Sequence, residues 1–198
     1  IFNGLIAGMY SIYFRESNGC SGQLTRTITE PLVLNATTNA VPVICNGQSN
    51  GIITITPTGG TAPYQYSIDG GANWQPSNIF NVVANNYTVT IRDANLCTTT
   101  QTITVTQPAA LTATAATTNA SCNGGNDGTI TVSATGGNTT YEYSIDAGAN
   151  WQSSNIFNVA PNNYTVSVRD NLGCTNQFTT TVGLTNDLTF TPQIDATI

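Results

Sequence analysis

The chain repeats itself at one fixed offset. Cys45 recurs as Cys122, Trp74 as Trp151, Tyr87 as Tyr164 and Cys97 as Cys174, each pair 77 residues apart, and Tyr10 and Cys20 stand 77 residues before Tyr87 and Cys97. Between 64–82 and 141–159, 16 of 19 positions are identical, so one unit has been duplicated and its fold must be buildable from 77 residues. The frame follows from Glu30-Pro31-Leu32 and Gln107-Pro108-Ala109, equivalent stretches in which a proline, lacking an N–H, interrupts strand pairing. It predicts the C-terminal part of one repeat in 1–31, complete repeats in 32–108 and 109–185, and the start of a further one in 186–198, with more copies on both sides.

Within a repeat the hydrophobic period is two. Residues 51–56 place Ile53 and Ile55 on one face, and Ile130 and Val132 stand at the same positions in the next copy. Tyr64, Tyr66 and Ile68 share a face in the following segment, and 87–92 and 164–169 alternate the same way. No helical periodicity occurs. Several short strands punctuated by Gly and Asn predict tandem immunoglobulin-like antiparallel β-sandwich modules, one per repeat.

Composition narrows the chemistry. The 198 residues include four arginines, no lysine and no histidine, with a net charge of −6. There is no imidazole base and no amine for a Schiff base, and phosphate backbones and anionic membranes repel such a surface, so no nucleic-acid partner is expected. No apolar run reaches the roughly 20 residues that span a bilayer as a helix. No catalytic group, cofactor or metal is predicted, and the chain is read as a non-enzyme.

Cys45 and Cys97 are 52 residues apart, as are Cys122 and Cys174. The simplest reading is one disulfide inside each repeat, Cys45 with Cys97 and Cys122 with Cys174, the partner of Cys20 lying outside the fragment. A zinc site competes with this, but one cysteine pair at this interval, without histidine, lacks zinc-ligand spacing. A core this small benefits from a covalent staple, and persistent disulfides belong to oxidising compartments, which predicts an extracellular, cell-surface location.

Cys122-Asn123-Gly124, then Asp127-Gly128-Thr129-Ile130, Gly136-Gly137, Tyr141 to Asp146, and a closing Asn163-Tyr164-Thr165-Val166 to Asp170-Asn171-Leu172-Gly173-Cys174 together resemble the SprB-type repeat. Such repeats occur in very large surface proteins of Bacteroidota, including gliding-motility adhesins exported by the type IX secretion system. The resemblance implies an extracellular, multi-copy stalk or adhesin. Leu96 departs from the pattern, standing where Gly19 and Gly173 occupy the equivalent turn.

Ser67, Asp69, Gly71 and Trp74, repeated as Ser144, Asp146, Gly148 and Trp151, look like the Asp-box hairpin of sialidase propellers, a structural element. The aspartate is expected to accept turn N–H groups, the glycine to supply a permissive φ and the tryptophan to pack the hairpin down. The rival reading makes Trp74 and Trp151 sugar-stacking platforms. Asp93 and Asp170 are expected to cap turns, with calcium as the competing role, and Arg92 and Arg169 to be solvated strand residues. The predicted function is a structural spacer or stalk whose partners are neighbouring repeats of the same chain. The alternatives are recognition of a surface glycan or protein ligand, and lateral self-association into an extracellular filament or sheath.

Overall fold

The computed structural model describes residues 2–121 and 125–185; Cys122 and the predicted repeat start at 186–198 lie outside them. Among the described residues every regular element is a strand. β1 (Gly8–Arg15) and β2 (Ser21–Ile28) form an antiparallel hairpin with Gly8 opposite Ile28 and Arg15 opposite Ser21. The first repeat contributes β3 (Asn35–Val41), β4 (Gly51–Thr58), β5 (Gln65–Ser67), β6 (Ile79–Val82), β7 (Asn85–Arg92) and β8 (Thr98–Val105). The second contributes β9 (Thr112–Thr118), β10 (Gly128–Thr135), β11 (Tyr141–Ser144), β12 (Ile156–Val159), β13 (Asn162–Asp170) and β14 (Thr175–Val182).

Each repeat builds two three-stranded sheets, ordered β3-β4-β6 and β5-β7-β8 in the first, and β9-β10-β12 and β11-β13-β14 in the second. Lettering the six strands A, B, C, E, F and G in chain order gives sheets ABE and CFG, the immunoglobulin-like sandwich. The inner faces follow from alternation. Strands β4 and β10 share one burial pattern, with Ile53, Ile55, Ile130 and Val132 fully enclosed and the intervening residues only partly so. In the second repeat the core combines Ile130, Val132 and Val159 from one sheet with Tyr143, Val166, Val168 and Val182 from the other. The tyrosine corner of this architecture is present too, since the Tyr164 hydroxyl at the start of β13 donates to the Ala160 carbonyl at 2.8 Å.

The compact units do not follow the repeat frame. Of the described residues, one comprises 2–40, 53–80 and 86–104; the other comprises 41–52, 81–85, 105–121 and 125–185. The segment 41–52, which belongs to the first repeat in sequence, is thus part of the unit that contains the second.

Candidate functional site

The hairpin that follows β5 is held by one carboxylate. The Ser67 hydroxyl donates to Asp69 Oδ1 at 2.6 Å and accepts the Gly71 N–H at 2.9 Å. Asp69 Oδ1 also accepts the N–H groups of Ala72 and Asn73, both at 3.0 Å, and the Asn73 side-chain amide donates to Oδ2 at 2.7 Å. Ser144, Asp146, Gly148 and Asn150 repeat the arrangement after β11. The hydroxyl of Ser144, then the backbone N–H of Asn150, hold the Asp146 carboxyl down at about 2, and Ser67 and Asn73 hold Asp69 lower still. Gly71 and Gly148 sit at φ +98° and +93°, and a Cβ there would lie 3.2 and 3.1 Å from Cζ2 of Trp74 and Trp151, so each indole lies against its glycine.

Arg92 and Arg169 do not behave as solvated strand residues. Each guanidinium lies over the half-buried indole of its own repeat, 4.3 Å from the Trp74 ring centroid and 4.4 Å from that of Trp151. The Arg92 Nε donates to Gln65 Oε1 at 2.6 Å, and the Arg169 Nε pairs with Glu142 Oε2 at 2.7 Å. One face of each ring therefore carries a cation where a sugar would have to stack. An arginine facing a tryptophan in both copies was the signal, but the two stand 18 positions apart and only the hairpin's fold-back joins them.

At the far end of the same sheets, an aspartate closes the turn before each second cysteine. Asp93 Oδ1 accepts the N–H groups of Asn95 and Cys97, both at 2.9 Å, and Oδ2 accepts that of Thr61 at 2.9 Å. Asp170 does the same with Leu172 at 3.0 Å, Cys174 at 2.8 Å and Asn138 at 2.7 Å. Burial pushes the Asp170 carboxyl up, but the Asn138 and Cys174 N–H groups outweigh it and the net shift is downward. Asp127 Oδ1 accepts the Ser121 N–H at 3.0 Å, as Asn50 Oδ1 accepts that of Ile44 at 3.1 Å, so the amide replaces the carboxylate in the same backbone role. Among the described residues, no three His, Cys, Asp or Glu side chains come together as metal ligands.

The cysteines correct the expected pairing. Cys45 is bonded to Cys174, with Cα atoms 5.6 Å apart and 129 residues between them in sequence, while Cys20 and Cys97 are free and exposed. Cys45 therefore does not pair with Cys97, and Cys174, already bonded, cannot pair with Cys122. The reason is where the segment after β3 goes. Residues 42–50 connect β3 to β4 and belong to the second unit, where the Asn46 side-chain amide donates to the Pro108 carbonyl at 3.0 Å and the Gly47 N–H donates to Gln107 Oε1 at 2.9 Å. The Asn138 amide donates to the Ile44 carbonyl at 3.2 Å, and Cys45 packs on the second repeat's core. An interval of 52 within one repeat and one of 129 across two both satisfy the same parity. Proximity selects the longer.

Among solved structures, the extracellular cadherin domains 1–4 of protocadherin gamma B7 match at 10% identity and a TM-score of 0.29, over 91% of this chain and 65% of that one. So weak a superposition carries no argument, and the sandwich rests on its own strand order. No curated protein matches the chain. The SprB repeat family model matches residues 37–73 and again 114–150, the second match starting one 77-residue period after the first.

Proposed function

We propose that these repeats form a non-catalytic spacer in a cell-surface adhesin, in which a disulfide ties a segment of one repeat to the repeat that follows it. The SprB match suggests a cell-surface, adhesin-type repeat region. A disulfide fits the oxidising environment outside the cell. The observation that carries the reading is the Cys45–Cys174 bond, since a staple inside one repeat protects that repeat alone, whereas this one ties a segment of the first to the last turn of the second.

Under tension applied at the two ends, load passes through the sulfur bridge and bypasses the intervening chain. The bond removes 129 residues of separation from the load path, about 430–460 Å of extended polypeptide at about 3.3–3.6 Å per residue. Single-molecule pulling tests this. In the oxidised chain the total unfolding extension should fall short of the reduced chain's by that length; equal extensions in both states would exclude a load-bearing staple.

A further inference from the structure

We propose that the groove formed by Leu32, Val33, Leu34, Gly60, Asp93 and Cys97 receives the Cys-Asn-Gly loop of another copy of this repeat, with Cys97 closing the disulfide that Cys174 closes one period later. The inference deepens the spacer reading and rests on it for the existence of further repeats.

The groove has an occupied counterpart inside the same chain. One period on, its walls are Ala109, Ala110, Leu111, Gly137, Asp170 and Cys174, and there Ile44 to Gly47 are docked. The scaffold matches bond for bond, since the Gly60 N–H donates to the Leu32 carbonyl at 2.6 Å as the Gly137 N–H does to the Ala109 carbonyl at 2.8 Å. Both glycines hold positive φ, +62° and +60°. In the first repeat the place of the guest is a cavity of about 360 Å³. Leu32 and Val33 stand 80% and 88% exposed along it, an apolar edge with the character of an interface.

The guest's polar anchors are also provided. The loop uses the Pro108 carbonyl and the Gln107 side-chain oxygen, and Pro31 and Glu30 occupy those positions here, the carboxylate being a stronger acceptor than the amide. Thr61 replaces Asn138, so the donor to the guest's carbonyl is a hydroxyl, itself held by the Asn95 amide at 3.0 Å. Leu32 and Val33 replace two alanines, which enlarges the apolar contact available to the guest's isoleucine.

Joining two thiols requires a disulfide oxidant, which takes up both electrons and is released as two thiols. The test supplies that oxidation in advance. A peptide with the sequence of residues 42–49 carries its cysteine as a mixed disulfide with thionitrobenzoate. The Cys97 thiol loses its proton to solvent, its thiolate attacks the peptide sulfur, a new S–S bond forms, and thionitrobenzoate leaves as a coloured thiolate.

In Cys20→Ser/Cys122→Ser protein, which leaves Cys97 as the free thiol, exchange with this peptide should run on the order of 10-fold faster than with a scrambled peptide of the same composition, because docking raises the local concentration of the reacting sulfur. Val33→Glu should abolish the preference while leaving the rate with the scrambled peptide unchanged. The Cys97→Ser/Cys122→Ser protein, reacting through Cys20 on the bare hairpin, should not discriminate. Equal rates for the two peptides at Cys97 would overturn the proposal. The pulling experiment is untouched by that outcome, since it reads the Cys45–Cys174 bond.

Discussion

Cys97 and Cys174 end the same turn in two copies of one sequence, each with its N–H on the Oδ1 of an aspartate four residues before it. Yet Cys97 is an exposed thiol, and Cys174 is buried and bonded. The difference is the guest, not the turn. Where residues 44–47 are docked the corner is a covalent junction, and where no such segment is docked the same corner is an open groove. The hairpin of β1 and β2 teaches the same lesson. It shares its register with β13 and β14, yet among the described residues it forms a two-stranded sheet by itself, and Phe14 is 56% exposed whereas its counterpart Val168 is fully buried. A repeat of this kind is locally complete and globally dependent on its neighbours.

The largest effect should come from breaking the occupied corner. Cys45→Ser should lower the stability of the second repeat by about 5 kcal/mol, the loop entropy of a closure this long. The urea midpoint followed by Trp151 fluorescence in a Trp74→Phe background measures it. Cys97→Ser should leave that midpoint unchanged. If both substitutions act alike, the two corners are not the different structures described above.

Acid sharpens the comparison from the other side, because the same carboxylate-held hairpin recurs in both repeats. Asp69 and Asp146 have folded-state pKa values depressed below the unfolded value of about 3.9. The unfolded chain therefore binds more protons on acidification. The stabilisation is complete above about pH 4 and is lost as the pH falls toward about 2. Ser144→Ala removes the main cause for Asp146 and should flatten the acid limb of a midpoint-against-pH curve for the second repeat alone. Unchanged steepness would deny the serine its role.

The smallest effect separates the two turns themselves. Leu96 holds φ +66° where Gly173 holds +82°. A left-handed conformation costs a side-chain-bearing residue about 1–2 kcal/mol, partly offset by the entropy glycine loses on folding. Leu96 is exposed, so Leu96→Gly forfeits no core contact and should raise the first repeat's stability by about 0.5–1 kcal/mol in the same urea assay, read through Trp74. A decrease would mean that the leucine makes a contact worth more than the strain.

Much of the fold was legible before any coordinates. Alternation in 51–56 and 128–132 marks the inner face because side chains of a strand point to opposite sides by covalent geometry, and the Ser-x-Asp-x-Gly spacing describes a turn because its hydrogen bonds span only four residues. The stacking of Arg92 on Trp74 was not legible, since it depends on how the hairpin folds back over β7. Nor was the path of residues 42–50, whose contacts with Pro108, Asn138 and Cys174 are all distant in sequence.

By itself the sequence determined the period, the strands, the turn chemistry and the number of half-cystines per repeat, because each is encoded within a few residues or by direct self-comparison. Only the tertiary structure decided which sulfur meets which. Two intervals satisfied the same arithmetic, and a disulfide forms where Cα atoms come within about 6 Å, which is a property of the folded neighbours and of no local pattern.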